Sequence, residues 1–362
     1  MKKYRILILT AIIGIGLILS GCVPGPRVTG SPGLDISDEM VFVAYGNFTY
    51  AVNLETKVVE WGFPEESSNK IVFYAQPLVT NDFVYVGDVA NNFYKIDSQT
   101  GNEVWTFSDA KGFFIGQAAI EDDIVYAPSN DGFVYALDAN GEELWRFETD
   151  HYVWAQPQIS DDVVYIASMD HFVYAVSKDE GTEIWKHKMN GAVISSPALS
   201  SDGTVLYVGS MGKEMVALDT TADVDEDHVL WSFNADGDLN TVWGKPLLVE
   251  DTLYFTDSTG KIYALDAATG ETVWPRPIEF SGSIIGGLTK LNDGFVFATE
   301  SGDIQAYGFD GTLIWQRSIE GEIIQAPVIN AEYLVVGAVD AEELIYVFDL
   351  DGNPIWSDTP EK

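Results

Sequence analysis

Between residues 76 and 107 the apolar and polar positions fall into four short runs. "QPLV" is apolar, "NDFVYVGD" alternates large apolar with small residues, and "NNFYKID" and "NEVWTF" carry β-branched and aromatic residues at period two. Runs of this length, bounded by Asn, Asp and Gly, predict strands. No window sustains apolar spacing at i, i+3, i+4 and i+7, so helices are not expected. Four strands joined by tight turns predict an antiparallel meander.

The same unit returns along the chain. Its third-to-fourth strand hairpin reads "KIDSQTGNEVW", "ALDANGEELW", "AVSKDEGTEIW" and "ALDAATGETVW", with looser copies elsewhere. The closing tryptophans are Trp61, Trp105, Trp145, Trp185, Trp231, Trp274, Trp315 and Trp356, spaced by 44, 40, 40, 46, 43, 41 and 41 residues. A period of this size marks stacked supersecondary units. Asp97, Asp138 and Asp266 open the turn, where a carboxylate can accept backbone N–H bonds. Gly101, Gly141, Gly181 and Gly270 follow where positive φ is needed. The Trp then lies on the outer strand, large enough to reach a neighbouring sheet. A single four-stranded sheet cannot bury both faces, so the sheets must stack, and radial stacking gives a β-propeller.

The pattern "DxxTGxxxW", preceded by "VYALD" and "xxPxxxxDxxVYVGS", resembles the repeat of the pyrroloquinoline-quinone (PQQ)-type β-propellers and extends over residues 33 to 362. "GLDISDEMVF" (Gly33–Phe42) lacks the initial Pro but aligns in length with "QPLVTNDFVY". The expectation is an all-β, eight-bladed β-propeller of four-stranded antiparallel blades over residues 34–362.

Ahead of the repeats, Lys2, Lys3 and Arg5 precede a 14-residue apolar run from Ile6 to Leu19 and then "LSGC". That layout predicts a secretory signal over residues 1–21, with an apolar part short for a membrane span. Leu19-Ser20-Gly21-Cys22 resembles a bacterial lipobox, which implies cleavage before Cys22 and lipidation of its thiol. Residues 22–33, rich in Pro and Gly, read as a tether. The expected place is the extracytoplasmic side of the cell envelope, held to the membrane through Cys22.

Net charge narrows the partners. Removing Lys2, Lys3 and Arg5 leaves 16 basic residues against 56 acidic ones, a formal charge of −40. Nucleic acid requires a basic stripe and is not an expected partner. Anionic lipid headgroups would repel such a surface, so the lipid chain has to do the anchoring. Cys22 is the single cysteine, so no intramolecular disulfide forms.

The PQQ resemblance raises quinoprotein dehydrogenase chemistry as one alternative. Members that bind the quinone typically pair adjacent cysteines over it, and this chain has one cysteine. His151, His171, His187 and His228 show no metal-ligand spacing. "DTTADVDEDH" starts like a calcium loop at Asp223, Asp225 and Asp227, but lacks Gly at the sixth position and Glu at the twelfth. No enzyme activity, cofactor or metal is expected, and this stretch reads as a solvated acidic loop.

Trp154 and Trp243 fall outside the repeat pattern. They and Tyr74 stand just before the innermost strand of their units, where other units hold Ile115, Ile194, Ile285 and Ile324. In an antiparallel blade this segment opens on the same face as the loop between strands two and three. The expectation is a channel mouth with aromatic groups inside and polar groups around, suited to a protein or peptide partner. Tyr74, Trp154 and Trp243 are the candidate contacts, with Asp170 and Lys213 on the rim. The expected whole is a monomeric, non-enzymatic envelope scaffold; a surface ligand-binding or adhesive propeller is the other alternative.

Overall fold

The computed structural model describes residues 30–361 apart from 69 and 225. Eight four-stranded sheets follow one another, each pairing its strands in chain order. In the first, Gly33–Ile36, Met40–Tyr45, Phe48–Asn53 and Val59–Phe63 pair antiparallel from the inside outward. The eighth, from Val328–Ile329 to Pro354–Asp358, is likewise built from consecutive chain. Among the described residues no strand is exchanged between the ends, so side chains close the ring.

They do so at eight junctions. Each hydrophobic cluster joins one blade to the next, as Val86 and Ile96 of blade two meet Phe42 and Ala51 of blade one. The eighth cluster places Leu34, Val43 and Val52 against Val335, Ile345 and Val347, last blade against first. Asn330 adds Nδ2–H bonds to the Ser37 and Asp38 carbonyls at 2.8 and 3.1 Å. Alternation explains why the strands feed two junctions at once, since successive side chains on the middle strands point to opposite faces of the blade.

The hairpin motif acts twice. Asp97 Oδ1 accepts from the Thr100 amide and hydroxyl, both at 2.8 Å, and from the Gln99 amide at 3.1 Å. The Thr100 bonds hold its carboxyl below the usual range. The turn glycine then takes positive φ, 82° at Gly141. Its bare Cα also makes room: a Cβ there would stand 2.6 Å from Cδ2 of Trp105 in the preceding blade. Gly101 sits in the same way on Trp61, Gly181 on Trp145 and Gly270 on Trp231.

Two places depart from the regular repeat. The expected outer strand at Trp274 is interrupted: Pro275 and Pro277 follow it, and the segment pairs only in pieces, at Thr272 and Val273 before the prolines and at Ile278–Glu279 after them. Proline has no N–H for the ladder, so the strand breaks. The segment expected as a tether up to residue 33 already turns inward at its end: Ser31 is buried and Gly33 begins the first strand.

Candidate interaction site at the channel mouth

The segments entering the innermost strands converge on a central cavity of about 590 Å³. Ile115, Trp154, Ile194, Trp243, Ile285 and Ile324 line it from six blades. Trp154 and Trp243 are therefore brought together, with 36% and 37% of their surface open. Trp154 donates its indole N–H to Asn130 Oδ1 at 2.7 Å. Its ring lies nearly parallel to Tyr152, at 6.4 Å and 12°, and Tyr152 meets His151 edge-on at 4.4 Å. Tyr152 and Met211 are also exposed. Neither stood out in sequence, because each lies in a loop whose length hides which way it faces.

Tyr74 is not with them. It is outside the cavity lining, and the entering chain passes over it: a Cβ on Gly30 would fall 1.9 Å from its Cδ1. Burial pushes its hydroxyl pKa up, with a smaller contribution from Tyr45.

Asp170 has an internal task. Its carboxylate accepts from the Asp150 amide at 2.9 Å, the Phe172 amide at 2.9 Å and the Tyr174 hydroxyl at 2.7 Å. Asp131 with Tyr135 and Asp88 with Tyr94 repeat the arrangement. In blade five Glu214 takes the equivalent place and bonds both the amide and the side chain of Asn190. Desolvation, then the Asp170 bond and charge, drives the Tyr174 hydroxyl far above its ordinary pKa. Asp131, Asp170 and Glu214 pin their second-to-third strand loops to the segment that leads into the same blade, at Lys111, Asp150 and Asn190, and so hold the mouth in shape. Lys213 differs: it is exposed, takes φ 63°, and forms no ion pair among the described residues.

Two residues past the mouth positions the lining turns polar, at Gln117, Gln156 and Lys245. Gln117 and Gln156 donate Nε2–H to the Pro77 and Ala118 carbonyls at 2.8 and 3.0 Å, each tying one blade to the one before. Thr289 bonds the Pro327 carbonyl at 2.6 Å in the following blade. Asp35 accepts the amides of Ile36 and Val79, both at 2.9 Å; burial outweighs these bonds and raises its pKa to about 6. Lys245 reaches from blade six to Gln158 Oε1 of blade four at 3.4 Å.

The acidic stretch of blade five carries no metal-binding cluster among the described residues. Its last residue, His228, is not solvated: it is buried, stacks on Trp185 at 4.3 Å, and contacts the Asp219 carbonyl through Nδ1 at 2.8 Å.

The family PQQ_2, described as outer membrane protein assembly factor BamB, matches residues 26–107, 94–223, 169–279 and 258–362. The chain belongs to this family. The chain is similar to BamB of Nitrosomonas eutropha, 28% identical over 40% of this chain and 34% of that protein. It is also similar to tetrathionate hydrolase of Acidithiobacillus ferrooxidans, 25% identical over 80% of this chain and 56% of that protein. It thus spans between a third and just over half the length of these curated relatives. Among solved structures, BamB of Moraxella catarrhalis superposes with a TM-score of 0.72 at 15% identity, covering 88% of this chain and 96% of that one. At that identity the likeness establishes the fold alone.

Proposed function

We propose that this protein is a non-enzymatic scaffold of the cell envelope, a monomeric propeller whose channel mouth docks a protein or peptide in outer-membrane protein assembly. The observation that carries the reading is the pair Trp154 and Trp243, each about one-third open at one mouth, with exposed Tyr152 lying against Trp154. Exposed aromatic groups converging on a concavity are what partner anchors look like before the partner arrives. Lys213 supplies the rim with a free cation. Asp170 supports the site by fixing the loop beside it, and Tyr74 borders it under the entering chain.

Lipidation of Cys22, which lies outside the described residues, would hold this face within reach of membrane-bound partners. Among the described residues no helix is long and apolar enough to cross a membrane. The deciding experiment is a pull-down from envelope extract with wild type and a Trp154→Ala/Trp243→Ala variant. Loss of a wild-type partner by a folded variant supports the docking role; identical partners for both defeat it. The tetrathionate hydrolase relative defines the competing reading, hydrolysis of a sulfur oxyanion. Turnover of tetrathionate by the purified wild type would replace the scaffold with an enzyme.

A further inference from the structure

Lys245 is the one ammonium in the cavity lining, and Asp35 the one carboxylate. The two do not pair. Asp35 is occupied by two backbone N–H groups, and no carboxylate lies within ion-pair distance of Lys245 among the described residues. Its single hydrogen bond is the long one to the neutral Gln158 amide oxygen. Unlike the unpaired cations elsewhere, Lys245 lines the central cavity, where it stands without an anion.

The neighbouring groups have a second property. Gln117 and Gln156 spend their Nε2–H groups on blade carbonyls. Each amide oxygen is thereby left without a donor among the described residues, and the orientation is fixed by the bond on the other side. Gln117, Gln156 and Lys245 each stand two residues past Ile115, Trp154 and Trp243 on equivalent segments, so the lining offers aromatic surface at Trp154 and Trp243 and, further along those segments, N–H acceptors at Gln156 and Gln117 beside a cation at Lys245.

The geometry points to a carboxylate-capture site: the free C-terminus of an extended peptide enters the mouth, with an apolar side chain against Trp154 and Trp243 and its α-carboxylate on Lys245. An extended chain presents side chain, amide N–H and terminal carboxylate in that order, with about 3.5 Å per residue. A cavity of about 590 Å³ lies within the ordinary range of ligand sites. A small inorganic anion would use Lys245 and leave the acceptors and the aromatic pair idle. Desolvation by the surrounding wall pushes the Lys245 ammonium below its ordinary pKa even though its side chain opens onto the lumen. An arriving carboxylate would relieve that cost, because an opposite charge favours the charged form.

This inference rests on the mouth being the docking site, and its test separates the two. Full-length protein in detergent is immobilised and offered a pool of random hexapeptides with free C-termini, and in parallel the same pool with C-terminal amides. The free-acid pool should enrich peptides with apolar or aromatic residues near the terminus. Amidation of an enriched peptide should weaken binding at least ten-fold by calorimetry. Lys245→Met should abolish that penalty while leaving the melting temperature unchanged, and Lys245→Arg should keep it. Should Lys245→Met not fold, Lys245→Gln takes its place. No enrichment, equal binding of acid and amide, or an intact penalty in the folded Met or Gln variant each overturns the inference. So does tetrathionate binding that depends on Lys245 with no peptide retained. If the double tryptophan variant still loses its envelope partners in those cases, the docking face stands and only the carboxylate site falls.

Discussion

The indole nitrogen of Trp356 donates a hydrogen bond to the Leu54 carbonyl at 3.1 Å, linking the last blade to the first across 302 residues. The same bond runs forward at other junctions: Trp61 to Ser98 at 2.9 Å, Trp145 to Lys178 at 2.8 Å, Trp231 to Ala267 at 3.0 Å. Each acceptor lies in the third-to-fourth strand turn of the adjacent blade. The motif is thus shared between two repeats, the Trp of one reading the turn of the next. Blade five has the lengthened turn, and there Trp185 stacks on His228 instead. Ring closure repeats the ordinary junction, so the terminal blades are held by the same contact as the interior ones.

Removing a junction tryptophan should therefore destabilise the ring wherever it is buried. Trp145→Ala is expected to cost about 3–5 kcal/mol by denaturant unfolding, the range for a buried large aromatic, since Trp145 is 9% exposed. Trp105 is only half-buried, and its truncation should cost less. Equal losses for the two would show that burial at the junction does not govern them.

Gly141→Ala tests the other half of the motif. At φ 82° an alanine is strained, and its Cβ would also meet the Trp105 ring at 2.6 Å. A cost above about 1 kcal/mol follows from an incompatible backbone alone. Because the clash is with a named side chain, Gly141→Ala should cost less in a Trp105→Ala background. A strictly additive double-mutant cycle would place the whole penalty in φ. Gly46→Ala is the control, with φ 58° and nothing within 4 Å of the added carbon.

Those positions were legible in sequence because one residue type answers each physical demand: Asp for the turn amides, Gly for φ and clearance, Trp for the span between sheets. The blade count followed from their period. Other features needed the assembled ring. Tyr74 occupies the same repeat position as Trp154, yet Gly30 covers it, and no repeat specifies the path of the entering chain. Asp170 reads as a rim charge until its partner, the Tyr174 hydroxyl, is seen, although the recurring Asp with a Tyr four or six residues on was a signal in the sequence. The prolines at 275 and 277 announced a broken strand, but the Trp periodicity masked them. Lys245 gave no signal, because its isolation is a property of the lumen.

Asp35 makes stability depend on pH. Its folded pKa of about 6 lies above the ordinary 3.8 because burial disfavours the charged form. The folded state therefore holds the proton more tightly than the unfolded chain. The resulting stabilisation is fully present below the unfolded pKa and is lost as pH rises through about 6. The whole effect is at most about 3 kcal/mol. Asp35→Asn cannot titrate, so its unfolding free energy relative to wild type should rise by up to that amount between pH 4 and pH 7. A constant difference across that window would mean Asp35 titrates normally.

Cys22→Ala addresses the anchor. If the thiol carries the lipid, the variant should move from the membrane pellet to the soluble fraction, with the propeller still folded. A strongly acidic surface gives it no hold on anionic headgroups. A variant that stays with membranes through detergent-free washing would require a different attachment.

The mouth tryptophans should behave unlike the junction ones. Trp154 and Trp243 keep about one-third of their surface in solvent, so truncating either should cost only about 1–2 kcal/mol, near the centre of the range for point substitutions. For Trp154 part of that loss is the bond to Asn130. Binding should respond more strongly: an aromatic anchor is worth about 2 kcal/mol or more on truncation, at least a thirty-fold rise in Kd for the partner recovered with wild type. The ratio of the two effects carries the test, because a ring that merely plugs the channel loses stability without changing affinity. Trp154→Ala that melts several degrees lower and binds as wild type would assign the aromatic pair to packing, and would move the docking site off this face.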